Sequence, residues 1–335
     1  MPALAQRFLG RSGLQISELV LGTMSFGNQT DEPTAHTILD EFAAAGGTFI
    51  DTADTYQFGG SEEIIGRWLT RQDRDRFVIG TKAYGEMSAG APVNGAGRKH
   101  LIRAVDASLR RLGTDYIDLF QIHLFDDATP MQETLSTLDV LVRNGKVRFV
   151  GASNYAGWQL QKSIDLARHH GWEPFVALQP LYNLLRRDAE YELLPICRNE
   201  GLGVLCWSPL EGGWLSGRYT REMTTPPAGS RYATQPEAWQ QQATEATWSV
   251  VDALQSIADE VGRSPAQVAL RWLLQTPGVT APIIGARTVD QLRDNLQTAD
   301  WSLSEDQVAQ LTKISERPAP YPYDLLGLPQ FRRRP

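Results

Sequence analysis

The sequence predicts an α/β fold, a closed (β/α)8 TIM barrel, on three observations. Short apolar runs alternate with longer amphipathic ones, eight of each, along most of the 335 residues. The short runs lack polar alternation, which suits parallel strands buried on both faces. No Pro/Gly/Ser-rich linker divides the chain, and no G-x-G-x-x-G follows any strand, so the competing doubly wound sheet lacks its fingerprint. One domain over 1–335 is the expectation.

The elements follow in order. Arg7-Phe8-Leu9-Gly10 and Leu14-Gln15-Ile16 flank Arg11-Ser12-Gly13, which predicts an N-terminal β-hairpin turning at glycine. Strands are expected at 19–21, 48–50, 77–80, 117–122, 147–151, 175–178, 203–206 and 282–284. Helices are expected at 32–45, 62–70, 98–112, 131–144, 157–169, 189–200, 265–275 and 289–298. Leu101, Val105, Leu109 and Leu112 show the helical spacing, and Gly113, Gly145 and Gly171 act as stop signals. Gly59-Gly60 should turn the chain into the second helix, with Ser61 as its N-cap.

Three segments exceed the barrel plan. Residues 208–243 form a long Gly-, Pro- and Thr-rich stretch, followed by an extra helix after strand 7 at 246–261. A C-terminal helix is expected at 304–314, then a tail that the prolines of Pro318-Ala319-Pro320-Tyr321-Pro322-Tyr323 should keep extended. The glycine-rich loop 85–97 is expected to move.

Composition excludes several classes. Apolar content of 42% and charged content of 21% fit a globular protein. A net charge of −7 argues against nucleic acid as a partner, and the only dense basic run, Arg332-Arg333-Arg334, is terminal. No apolar stretch is long enough to span a bilayer, and residues 1–10 hold no signal core. Two cysteines, Cys197 and Cys206, do not indicate a disulfide scaffold, so a reducing, cytoplasmic location is the expectation. No metal-ligand cluster has close spacing.

Chemistry in such a barrel gathers at the C-terminal ends of the strands. The residues at those ends are Gly22-Thr23-Met24, Asp51, Lys82, His123, Ser153-Asn154, Gln179, Trp207-Ser208 and Gly285-Ala286-Arg287, with Tyr56 in the loop after Asp51. Each has a structural explanation alone. Together, a carboxylate, a phenol, an amine and an imidazole on one rim suit a reaction in which a carbonyl oxygen becomes an alkoxide. A phenol is a poor acid near its ordinary pKa of ~10, and an adjacent ammonium favours the phenolate. Lys82 is expected to lower the Tyr56 pKa in this way while Asp51 holds it, with His123 hydrogen-bonding the same oxygen.

These motifs resemble those of the aldo-keto reductases. The matching pieces are Leu21-Gly22-Thr23-Met24, Phe49-Ile50-Asp51-Thr52-Ala53-Asp54-Thr55-Tyr56, Ile79-Gly80-Thr81-Lys82, the run from Asp115 to His123, Val150-Gly151-Ala152-Ser153-Asn154 and Trp207-Ser208-Pro209-Leu210. The resemblance implies a barrel that binds NADP(H) without a Rossmann domain, and a catalytic tetrad of Asp51, Tyr56, Lys82 and His123. It implies that Gly22, Thr23, Met24 and Asp51 border the cofactor. Ser153, Asn154 and Gln179 would hold the nicotinamide carboxamide, and Trp207 would stack on its ring, where many relatives have Tyr. Ser208, Leu210, Gly212 and Ser216 would wrap the pyrophosphate, and Gly285, Arg287, Gln291 and Asn295 the adenosine end. Arg287 would face a 2′-phosphate; the lysine many relatives use there is replaced at Gly285.

The substrate would be a small carbonyl compound in a pocket lined by Phe26, Tyr84, Phe125 and Trp214, with Met24, Leu124 and the Tyr321–Tyr323 tail as further candidates. The loop from Gly80 to Met87 with Asn94-Gly95 is also similar to that of reductases of nucleotide-linked deoxysugars, so a keto-sugar stays open. Two other readings stand beside carbonyl reduction. One is an accessory subunit that binds NADP(H) with little turnover, as channel β-subunit-like relatives do, although such relatives can lack the tetrad histidine. The other is Schiff-base chemistry on Lys82. Oligomeric state is left open.

Overall fold

The computed structural model describes residues 3–87, 94–326 and 328. The expected loop 85–97 lies partly, and the Arg332-Arg333-Arg334 run wholly, outside them. β1 (Gln6–Phe8) and β2 (Gln15–Ser17) pair antiparallel as the expected hairpin. The eight strands that follow are β3 (Val20–Gly22), β4 (Phe49–Asp51), β5 (Val78–Ala83), β6 (Ile117–Ile122), β7 (Val147–Ser153), β8 (Ala177–Gln179), β9 (Gly203–Cys206) and β10 (Ala281–Gly285). They close a parallel barrel in chain order, with β10 pairing both β3 and β9.

Helices ring the barrel: α1 (Glu32–Ala44), α2 (Gly60–Leu69), α3 (Arg98–Leu112), α4 (Met131–Arg143), α5 (Gly157–His170), α6 (Leu193–Glu200), α7 (Pro236–Gln242), α8 (Glu245–Val261), α9 (Pro265–Gln275), α10 (Val289–Leu296), α11 (Glu305–Ile314) and α12 (Tyr323–Leu326). The (β/α)8 TIM barrel with an N-terminal hairpin, an extra helix after the strand Gly203–Cys206 and a C-terminal helix is therefore the observed fold. α7 was not expected inside the long loop. α12 corrects the extended tail: the prolines end at Pro322 and none interrupts Tyr323–Leu326, and Tyr323 anchors the turn by donating from its hydroxyl to Glu192 Oε1 (2.7 Å).

Strand alternation builds two cores. Outward side chains such as Leu21, Ile50, Ile79, Phe120, Val150, Leu178, Val204 and Ile284 pack against the helices. Inward ones, Val20, Phe49, Val78, Leu119, Ala177, Leu205 and Ala281, form a separate apolar plug with Leu9 and Ile16 of the hairpin, which stops the bottom of the barrel. Further along β4 to β8 the inward set turns polar: Asp51, Lys82, Gln121, Ser153 and Gln179 are all buried at the upper layer. Gly80 faces inward between them. A Cβ there would lie 2.6 Å from the Phe49 ring, so the position must be glycine for Asp51 and Phe49 to fill the axis.

The second helix starts differently from expectation. Its N-cap is Gly59 in the left-handed region (φ 94), and Ser61 is no cap. The Ser61 side chain is buried and donates to Thr23 O (3.0 Å) and Thr23 Oγ1 (2.9 Å), tying α2 to the end of β3. Among the described residues no helix is long and apolar enough to cross a membrane. Cys197 and Cys206 are buried free thiols.

Candidate active site

The upper layer of the barrel centres on Asp51. Its Oδ2 accepts from Lys82 Nζ at 2.7 Å, and its Oδ1 accepts from Gln179 Nε2 at 2.9 Å and more weakly from Gln121 Nε2 at 3.5 Å. Lys82 is fully buried and also donates to the Thr52 carbonyl (2.6 Å). A buried ammonium is costly unless paired and hydrogen-bonded, and these two acceptors meet that need. Burial pushes Lys82 down, but Asp51 and Tyr56 more than offset it and hold the ammonium above its ordinary value.

Tyr56 follows on a short turn, with Lys82 Nζ 5.1 Å from its ring centre. The His123 ring stands edge-on to it, centroids 6.1 Å apart at 78°. The four residues of the expected tetrad thus come together from β4, its loop, β5 and the end of β6. One electrostatic expectation needs correction. Lys82 pulls the phenol down, yet burial is the larger effect and Asp51 adds to it, so Tyr56 titrates above the ordinary tyrosine value. Burial first, then the Lys82 charge, depresses His123 to about 4, which leaves a neutral imidazole at neutral pH.

The neighbouring strand ends interlock. Ser153 Oγ donates to Gln179 O (2.9 Å). Asn154 adopts a left-handed backbone (φ 56), and its Nδ2 donates to His123 O and Ser153 Oγ, both at 3.0 Å. Its Oδ1 accepts the indole Nε1–H of Trp207 at 3.0 Å, a bond that a tyrosine, with no donor at that place on its ring, does not offer. Trp207 is thereby tied to the backbone of His123 through one amide.

The loop after β9 carries the next group. Ser208 and Glu211 have left-handed backbones, and the Ser208 carbonyl accepts from Asn183 Nδ2 (2.9 Å). Leu210 is partly buried, and Ser216 Oγ donates to Gly213 O (2.7 Å). A Cβ on Gly212 would touch the Tyr232 ring at 3.0 Å, so the loop folds back on itself there. After β10, Gln291 Oε1 accepts the Arg287 N–H (2.9 Å) and Asn295 Nδ2 donates to Gly285 O (3.4 Å), which shapes the turn carrying Arg287. A Cβ on Gly285 would meet nothing within 4 Å.

Three expected positions fall elsewhere. Phe26 and Trp214 are fully buried, so neither lines a pocket: Phe26 packs in the helix-facing core, and Trp214 stacks on Trp239 with centroids 4.4 Å apart. Thr23 is also fully buried, and its hydroxyl donates to the backbone carbonyl of Asp51 (3.0 Å), tying the ends of β3 and β4 together. Gly22 pairs with both Asp51 and Gly285 in the sheet, Met24 is exposed, and Tyr84 and Phe125 are partly buried. An open groove of about 1140 Å3 along α11, lined by Arg187, Tyr191, Thr312 and Lys313 among others, contains none of the site residues.

Sequence reasoning missed several groups. Gln121 shares the inward parity of Lys82 and His123, and that alternation could have found it. Arg218 and Arg231 of the long loop approach Arg287; burial and then Arg218, with Arg231 adding, depress the Arg287 pKa. None of the three pairs with a carboxylate among the described residues. Such mutual repulsion without counter-charge fits a polyanion such as a dinucleotide's phosphates. Arg231 also lowers the Tyr56 phenol by its charge, so the cationic group reaches the tetrad. Behind the tetrad, Asp54 is fully buried and no side chain hydrogen-bonds its oxygens.

A closed barrel with a hairpin plug carries this upper-layer cluster, and comparison with known proteins gives its family. The Aldo/keto reductase family model matches residues 18–316. An oxidoreductase, YrpG of Bacillus subtilis (strain 168), described as uncharacterized, is 39% identical over 93% of this chain and 96% of its own. L-Glyceraldehyde 3-phosphate reductase of Escherichia coli O157:H7 is 35% identical, over 91% and 90%. Aryl-alcohol dehydrogenase (NADP+) of Phanerodontia chrysosporium is 34% identical, over 94% and 86%. The chain belongs to the aldo/keto reductase family and is an oxidoreductase.

Proposed function

We propose that the protein reduces an aldehyde or ketone to an alcohol with NADPH, with Tyr56 as the general acid. The observation that carries this reading is the Tyr56–Lys82–Asp51–His123 cluster at one end of the barrel, beside three guanidiniums that pair with no carboxylate among the described residues. The residues fit the cofactor: Arg218, Arg231 and Arg287 would hold its phosphates, Ser153, Asn154 and Gln179 its carboxamide, and Trp207 its nicotinamide face. Bound NADPH would supply the hydride that the carbonyl carbon gains.

The protein's own part is the proton. Because Tyr56 titrates above its ordinary value, the phenol is protonated at neutral pH and available to the forming alkoxide. Lys82, held by Asp51 and Thr52, stabilises the phenolate left behind, and solvent restores the proton. Neutral His123 can donate one N–H to the carbonyl oxygen and orient it towards Tyr56. The expected result with the purified protein, NADPH and 4-nitrobenzaldehyde is equimolar NADP+ and 4-nitrobenzyl alcohol. Tight NADPH binding with no turnover on any aldehyde would instead support the accessory-subunit reading. Trapping of a carbonyl substrate on Lys82 by borohydride would support the Schiff-base one.

A further inference from the structure

The barrel mouth is divided by charge. The loops after β3, β4, β5, β6 and β7, residues 23–31, 52–59, 84–97, 123–130 and 154–156, contain no lysine or arginine. Four carboxylates stand on them, Asp31, Glu86, Asp126 and Asp127, while Asp54 of the same loops is buried behind the tetrad. The cations sit across the mouth, after β8, β9 and β10, where Arg186, Arg187 and Arg221 are already paired to Glu211, Glu190 and Glu245, and Arg218, Arg231 and Arg287 pair with no carboxylate among the described residues.

Large apolar side chains are exposed on the cation-free arc. Met24 is 50% exposed, Phe58 75%, Leu124 45% and Trp158 60%. They stand on the segments after β3, β4, β6 and β7, which all open on the Tyr56 side. Phe125 stands edge-on to both Tyr155 (5.2 Å) and Trp158 (5.8 Å), so the apolar surface is aromatic and continuous between two loops. Phe58, two residues beyond Tyr56, and its neighbour Gln57 both have left-handed backbones (φ 52 and 51). That conformation is unfavourable for non-glycine residues, and here it leaves a phenyl ring mostly exposed to solvent.

From this division we infer that the Tyr56 site selects uncharged aromatic or other bulky apolar carbonyl compounds and rejects phosphorylated or carboxylated ones. The inference rests on the carbonyl-reductase reading and adds its substrate class. A ring entering the arc leaves water for the faces and edges of Phe125 and Trp158. An anion entering it loses hydration and meets carboxylates with no loop cation to pair it. Arg231 is the cation that reaches Tyr56, and in that reading it is engaged by the cofactor's phosphates together with Arg218 and Arg287. A keto-sugar carrying a nucleoside diphosphate is disfavoured on the same ground.

The test compares matched substrates at saturating NADPH. Methyl 4-formylbenzoate should exceed 4-formylbenzoate in kcat/KM by about tenfold or more, and glyceraldehyde should exceed glyceraldehyde 3-phosphate in the same sense. Trp158→Ala and Phe58→Ala, both at exposed positions, should each lower kcat/KM for the ester about fivefold more than for propanal. Equal or better turnover of either anion overturns the inference, as does an equal loss on ester and propanal in both variants. If propanal is reduced without this selectivity, only the substrate class falls. If no aldehyde is reduced at all, the carbonyl-reductase reading falls and takes this with it.

Discussion

At the scale of single residues, Asp54 is the group whose environment is least ordinary. Burial, and then the Glu62 carboxylate, push it up to about 7, and Arg111 offsets this only in part. An exposed aspartate titrates near ~3.9. Between those values the folded protein keeps a proton that the unfolded chain has released. The stability tied to this group is therefore complete below about pH 4 and is lost as pH rises through about 7, a difference of roughly 4 kcal/mol. Asp54→Asn removes the titration. Urea unfolding should show the variant gaining about 3 kcal/mol on the wild type between about pH 5 and pH 8; parallel profiles would mean that Asp54 stays ionised throughout. Arg287 makes a second residue-scale prediction. Its guanidinium donates to Gly229 O (2.9 Å) and has no carboxylate partner among the described residues, so a 2′-phosphate has no competing anion there to displace. Arg287→Ala should raise the KM for NADPH about tenfold while moving the KM for NADH little; equal changes would show that Arg287 does not read the phosphate.

At the scale of elements, α2 and α3 carry the support for β5. Glu62 of α2 is fully buried, accepts from Thr81 Oγ1 of β5 and from Arg111 Nε of α3, both at 2.6 Å, and so holds the residue beside Lys82. The Lys82 carbonyl also accepts the Asp54 N–H at 3.0 Å. Arg111→Ala leaves a buried carboxylate with one hydroxyl partner. It should cost about 3–5 kcal/mol in unfolding free energy, and a loss under about 1 kcal/mol would show that water reaches Glu62. None of this was legible beforehand, because Arg111 meets Glu62 only when α3 packs on α2, across 49 residues of chain. The strands were legible because burial on both faces leaves few polar residues in them, and the strand-end polar residues therefore stood out. Ser61 misled for a local reason: Gly59 in the left-handed region starts the helix early, and the serine that follows is drawn inward to Thr23. Phe26 and Trp214 misled because an aromatic in a mouth loop can fold under the loop as readily as over it.

At the scale of the whole molecule, one alternation organises the barrel. Inward residues are apolar at the hairpin end and polar at the other, so the axis is a dry plug below a charged layer. Around that layer the loops separate into a cationic side, suited to a dinucleotide, and an apolar, cation-free side, suited to the second reactant. The tetrad lies where the two sides meet. That juxtaposition is the central claim, and Tyr56→Phe tests it most directly, since it removes one hydroxyl and keeps the ring that faces His123 and Lys82. NADPH affinity and turnover of 4-nitrobenzaldehyde should be measured on the same preparation. The account predicts an NADPH Kd within about twofold of the wild type and a kcat lower by about a hundredfold or more; a kcat that is unchanged with the phenol gone would contradict it.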